Sequence, residues 1–287
     1  MPGLPDRVRA HCAAVAASAT LVTIDLDACS YEGGVSGLDP ARHFLEGAPE
    51  EVARYVLALD AVNFGSGWFA QLGTDTDALT ERLTAFARSR GGVWSARDLR
   101  ALTAAEVAAV LGLPADHVLT GLYAAGLRDL GAWLGERSAL QAIGDAGGSA
   151  ARLAESLARM PLLADHGFYK RAQITAADLA WAGVAAFDDV DDLTVFADNL
   201  LSHVLRVDGV LRYAPSLAAA VDAGGWLEPG GREETELRAC AVDACERLAA
   251  RAGVAPRVLD NWLWNRGLEQ RYAAATMRPH RTRTSFY

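Results

Sequence analysis

The chain is almost without lysine: one of its 27 basic side chains, Lys170, is a lysine and the rest are arginines. Positive charge is scarce as well, since 36 acidic residues against 27 basic ones leave a net charge of −9 at pH 7. Proteins that coat nucleic acid carry a basic surplus, because phosphate neutralisation supplies most of their non-specific affinity. Binding to a nucleic-acid polymer is therefore not expected, nor is a polybasic membrane anchor. Runs of about 18 or more apolar residues are missing, which argues against a membrane span. Cysteine is sparse, and Cys12, Cys29, Cys240 and Cys245 match neither a zinc nor a redox spacing. They read as reduced core thiols, and no metal is expected. The segment Met1-Pro-Gly-Leu-Pro-Asp6 lacks a charged stretch followed by an apolar one, so a cytoplasmic chain is expected. P-loop, GxGxxG, HExxH and G-x-S-x-G patterns are all absent, and no cofactor is expected. Strand–helix alternation is missing too, which argues against a doubly wound sheet.

What remains is a chain that is 51% hydrophobic and 22% charged, the composition of a globular protein with a real core. Its dominant period is helical. Helices are expected over 49–69, 75–90, 116–135, 150–160, 168–187, 191–207, 216–223, 233–252 and 256–277. Short ones open at the capping-box patterns Ser95-Ala-Arg-Asp98 and Thr103-Ala-Ala-Glu106. Only 21–26 resembles a strand, with a further fragment at 93–94. Glycine-rich breaks fall at 144–148 and 224–231. The expected architecture is one compact, mainly α (all-α) domain over 1–287, with any subdomain boundary near 144–149 and at most a minor β element near the N-terminus.

Lys170 opens a helix on which positions 170, 174, 177 and 181 share a face. It thus stands at the end of an apolar stripe of Ile174, Ala177 and Trp181. A snorkelling charge fits that place, with the stem on the core and the ammonium in water. So does a pocket cation holding a phosphate or tuning a carboxylate. Asp198 falls in the middle of the 191–207 segment, which is apolar nearly all round and hence buried. An unpartnered buried carboxylate costs several kcal/mol. Asp198 is therefore either a structural group bonded to a helix N-terminus or arginine, or a catalytic carboxylate beside Phe196. In Leu259-Asp-Asn-Trp-Leu-Trp-Asn265, Asp260 and Trp264 are an i,i+4 pair, as are Asn261 and Asn265. Aromatic planes beside amide and carboxylate edges suit a flat heterocycle. A tryptophan-rich core helix with polar residues facing out has the same pattern. The tail Arg278-Pro-His-Arg-Thr-Arg283 is locally basic, either solvated or a phosphate site. His43, read alone, is structural.

Five segments in one order carry a resemblance. They are Phe168-Tyr-Lys-Arg-Ala-Gln173, Phe196-Ala-Asp198, Glu233-Glu-Thr-Glu-Leu-Arg238, Leu259-Asp-x-x-Leu-Trp264 and His280-Arg-x-Arg283, with Asp60-Ala-Val-Asn-Phe64 upstream. Together they resemble the queuosine salvage proteins, N-glycosylases that release the base queuine from queuosine 5′-phosphate. The resemblance implies an all-α fold related to helix-hairpin-helix DNA glycosylases, a small-molecule substrate and no cofactor. It implies Asp198 as the catalytic carboxylate and His43, Phe196 and Asp260 as base contacts. Asn261 and Asn265 stand where the family has an aromatic and an acid. On this reading Trp262 or Trp264 stacks on the base, and Lys170, Arg281 or Arg283 meets the 5′-phosphate. The alternatives are a DNA or RNA glycosylase of related fold, which the −9 charge disfavours, and a queuine- or nucleoside-binding protein without turnover.

Overall fold

The computed structural model describes residues 2–287. The chain is mainly helical. In order run α1 (Leu4–Ser18), β1 (Val22–Ile24), α2 (Pro49–Val62), α3 (Ser66–Leu72), α4 (Thr76–Arg90), α5 (Ala96–Ala101), α6 (Ala104–Leu111), α7 (Val118–Leu134), α8 (Ala139–Gly144) and α9 (Ala150–Leu157). There follow α10 (Lys170–Trp181), α11 (Asn199–Val207), β2 (Leu211–Tyr213), α12 (Pro215–Asp222), α13 (Arg232–Ala252), α14 (Pro256–Gly267) and α15 (Gln270–Ala273). Among the described residues no helix is long and apolar enough to cross a membrane.

Local chemistry explains many of the boundaries. Pro49 opens α2 with Glu50 and Glu51 in its first turn, where the helix dipole favours negative charge. The expected capping boxes start α5 and α6, and a third, Ser138 with Gln141, starts α8. Gly65, at φ +107°, breaks the expected 49–69 helix into α2 and α3. The expected 256–277 helix likewise ends at Gly267 and resumes only as the single turn α15. The fragment at 93–94 is not a strand. The 21–26 strand does form as β1, and it pairs antiparallel with the unforeseen β2, Val22 opposite Tyr213 and Ile24 opposite Leu211.

The fold divides into two units interleaved along the chain. Unit one comprises 2–36, 166–170 and 191–284. Its axis is α13, which packs against α1, α11, α14 and β1. That helix is buried nearly all round, which explains its run of small residues Ala239, Cys240, Ala241, Ala244 and Cys245. Three charged residues, Glu234, Glu236 and Arg238, are buried on it as well. Glu236 accepts from Thr20 N at 3.0 Å and Leu21 N at 2.8 Å, which anchors the chain entering β1. Unit two comprises 37–165, 171–190 and 285–287, and the glycine-rich stretch 144–148 lies inside it. There α2 packs against α4, α7 and α8, and Glu50 accepts from Ala139 N at 2.8 Å and Leu140 N at 3.1 Å. Arg171, 1% exposed, is the polar centre of this unit. Its guanidinium donates to Asp60 O and Ala61 O, both at 3.0 Å, and lies 4.4 Å from the centre of the Phe64 ring.

Candidate active site

Unit one brings two helix starts together. Lys170 is the first residue of α10, and Asp198 immediately precedes α11. The Lys170 ammonium lies 3.1 Å from Asp198 Oδ2, with side-chain exposures of only 7% and 10%. Lys170 is thus no snorkelling charge: its side chain is buried and its ammonium meets a carboxylate.

The position of Asp198 corrects the expectation of a single 191–207 helix. Residues 193–198 are irregular, and Asp198 is the N-cap of α11, with extended backbone at φ −135° and ψ −168°. Its Oδ1 accepts from Leu201 N at 2.8 Å, satisfying one of the donors that every helix N-terminus leaves open. One carboxylate oxygen therefore caps a helix and the other meets a cation. Ser202 reinforces the turn by donating from Oγ to Asp198 O at 2.9 Å.

The segment before Lys170 is strained. Tyr169, at φ +50°, is the one non-glycine residue with positive φ among those described. The left-handed region costs an ordinary L-residue roughly 1–2 kcal/mol, so surrounding contacts have to impose it. Phe168 beside it is 5% exposed, and His11 meets its ring edge-on at 5.6 Å.

On α14, Asp260 is buried and its Oδ1 accepts from Phe196 N at 2.7 Å. Burial pushes its carboxyl up to about 7; the Phe196 N–H pulls the other way, Asp198 raises it further, and Lys170 opposes. Phe196 itself is 4% exposed. The backbone around the Phe-Ala-Asp segment is thereby tied to α14. Asn261, Trp262, Trp264 and Asn265 follow on α14, all half-buried. Asn265 Nδ2 donates to Asn261 O at 2.8 Å and Asn261 Oδ1 at 3.2 Å, so the two asparagines bond to each other. Residues 32–36 pass so close to Trp262 that a Cβ on Gly34 would lie 2.5 Å from its Cγ. Glycine at 34 is what permits that approach. The Trp262 Nε1 donor is buried with no hydrogen-bond acceptor.

The tail is docked rather than solvated. Over 280–284 burial alternates: His280, Thr282 and Thr284 are inside, whereas Arg281 is half-buried and Arg283 exposed. Both arginines meet the Trp226 ring, at 3.9 and 4.5 Å from its centre, and Arg281 donates to Gly224 O at 3.2 Å. These contacts seat the tail against Trp226 and Gly224. His280, which faces inward, is held down to about 3, first by burial and then by the nearby Arg238 charge. His43 belongs to unit two, where its Nδ1 lies 3.0 Å from Asp39 O and burial lowers its pKa.

Arg238 carried no role in the sequence reading beyond its place in the Glu233–Arg238 motif. It is 2% exposed and in contact with both helix starts. Its Nε donates to Ala197 O at 3.0 Å, and its guanidinium carbon lies 3.9 Å from the centre of the Phe168 ring. The Glu234–Arg238 i,i+4 spacing, just before the apolar run Ala239–Val242, was the available signal.

A cationic group against a buried, backbone-bonded carboxylate, beside a second carboxyl whose pKa is raised by burial, can stabilise a positive centre and meet a heterocycle. The family model described as queuosine salvage protein matches residues 43–287. A protein of Sphaerobacter thermophilus named queuosine 5′-phosphate N-glycosylase/hydrolase is 34% identical, over 85% of this chain and 84% of its own. Proteins of the same name from Mus musculus and Dictyostelium discoideum are 32% and 34% identical, each over 42% of this chain and 40% of theirs.

Proposed function

The chain belongs to the queuosine salvage protein family, and from that membership and the geometry of unit one we propose that it hydrolyses the N-glycosidic bond of queuosine 5′-phosphate. The products are queuine and ribose 5-phosphate. The observation that carries the reading is the buried Lys170–Asp198 pair at the junction of two helix starts, inside the segments that carry the family resemblance.

Cleavage of an N-glycosidic bond builds oxocarbenium character on the ribose. Asp198 faces that charge, and its carboxylate stabilises the cation or captures it as in retaining glycosidases. The low-dielectric surroundings strengthen the interaction. Leu201 N fixes the carboxylate's direction in advance, so little reorganisation is needed as charge develops. The base is a 7-deazaguanine and has carbon at the usual N7 protonation site. Its departing negative charge has to be met at other edges. Asp260, held up to about 7, is protonated often enough to share a proton with the pyrimidine edge. Trp264 and Phe196 supply apolar surface for the ring, and Asn261 and Asn265 a joined pair of amides at its rim. Lys170 bridges Asp198 and the 5′-phosphate. Arg281 and Arg283 flank Trp226 and are less suited to that task.

On this proposal 1–287 acts as one glycosylase domain on a small cytoplasmic nucleotide, with no polymer or membrane partner and no cofactor or metal. The test is Asp198→Asn, which keeps size and the acceptor for Leu201 N but removes the charge. Turnover of queuosine 5′-phosphate should fall by at least about a thousandfold with queuine still bound, in line with the loss of a preorganised charge. Unchanged product binding with no turnover in either protein would instead favour a queuine carrier.

A further inference from the structure

We propose that Arg238 is a positioning residue that sets the Lys170–Asp198 geometry by gripping both segments at once. The inference rests on the reading of Lys170 and Asp198 as reactive groups.

Each of those residues stands at the very beginning of a helix, with irregular chain before it. Lys170 follows the strained Tyr169, and Asp198 follows the irregular stretch 193–197. Neither α10 nor α11 dictates where the chain entering it lies. Beside the Asp260 bond that ties Phe196 N to α14, Arg238 supplies a constraint on both entering segments from the interior of α13. The edge of its guanidinium holds Ala197 O, one residue before Asp198, at 3.0 Å. Its face lies 3.9 Å from the centre of the Phe168 ring, two residues before Lys170. Its Nη1 donates to Glu234 Oε1 at 3.3 Å, one turn earlier on the same helix. Glu234 in turn accepts from Gly230 N at 3.1 Å, which orients the carboxylate.

The chemistry requires arginine. A planar guanidinium presents a stacking face and a fork of edge donors together, whereas a lysine ammonium is a point charge with neither plane nor fork. A buried Arg–Glu pair is a poor device for stability alone, because desolvation offsets much of the attraction. What it does provide is direction: an edge bond and a face contact on one rigid plane fix two backbones relative to each other. The ledge of α13 is rigid enough for this, since Arg238 is followed by a run of fully buried small residues. Burial, and after it the charge of the same guanidinium, lower the pKa of His280.

The experiment uses the full chain with Arg238→Lys and with Phe168→Leu, each examined by crystallography and by steady-state kinetics on queuosine 5′-phosphate. In both variants the Lys170 Nζ–Asp198 Oδ2 separation should lengthen. kcat should fall about 10- to 100-fold, the cost expected of an ångström-scale misplacement, with KM within about threefold of wild type. The double variant should fall little further than either single one, because both break the same grip. Phe168→Tyr keeps the aromatic face and should retain kcat. An unchanged separation and an unchanged kcat in Arg238→Lys, with only a lower melting temperature, would overturn the proposal. So would multiplicative losses in the double variant. Should Arg238→Lys not fold, Phe168→Leu against Phe168→Tyr decides it. If the wild type itself releases no queuine, the functional reading fails, and the separation in the variant crystals still decides whether Arg238 positions the pair.

Discussion

Asp198 has two tasks, and substitutions can separate them. One oxygen caps α11 and the other pairs with Lys170. Asp198→Ser keeps a capping acceptor and loses the charge; Asp198→Ala loses both. Serine should therefore be more stable than alanine by about 1 kcal/mol, the usual worth of an N-cap, in urea titrations. Both should be equally inactive. Equal stability would mean that the cap contributes nothing. Asp260 offers a second residue-scale check. Its folded pKa of about 7 lies above the ordinary carboxyl value of 3.8. The folded state thus binds the extra proton between those values. Its contribution to stability is complete below about 4 and is lost as pH rises through about 7. Asp260→Asn keeps the acceptor for Phe196 N and removes the titration. Its melting temperature relative to wild type should accordingly rise between pH 5.5 and pH 8. A difference that stays flat with pH would contradict the burial of an ionisable group there.

Among the elements, some were legible in the sequence and others were not, for physical reasons. The boxes Ser95–Asp98 and Thr103–Glu106 are local, since a side chain bonds to a backbone three residues away, and the sequence shows both partners. The start of α11 was misread because 193–205 is apolar, and an apolar stretch fits a buried helix and a buried irregular segment equally well. The deciding group, Asp198 as N-cap, looked like a mid-helix residue. The pattern Asp-x-x-Leu before an apolar run was there to find. The docking of 280–284 depends on alternation against distant partners, which a basic composition conceals. β2 is three residues long and forms only against β1, whose Ile24 is paired with Leu211 across 187 positions of chain. Lys170 and Asp198 were each singled out from the sequence, but their 3.1 Å approach is a tertiary fact. The segment over Trp262 gives an element-scale prediction. Gly34→Ala places a methyl against the indole, which has to shift. KM should rise several-fold and the tryptophan emission should change; an unaltered spectrum and KM would show that the segment yields freely.

At the scale of the whole molecule, the net charge of −9 and the scarcity of lysine set what the protein can meet. A single phosphate needs one well-placed cation, whereas a polymer needs many. Raising salt from 50 to 200 mM should accordingly change KM by less than about threefold, against the 10³- to 10⁵-fold loss of a protein that contacts six to ten phosphates. A steep salt dependence would redirect attention to a glycosylase of polymeric substrate. The measurement that bears most directly on the central claim is mass spectrometry of purified protein incubated with queuosine 5′-phosphate, with the nucleoside and intact tRNA alongside. The account predicts free queuine and ribose 5-phosphate in equal amounts from the nucleotide, none from tRNA, and neither product with Asp198→Asn. Absence of queuine from the wild type, or undiminished release by Asp198→Asn, would contradict it.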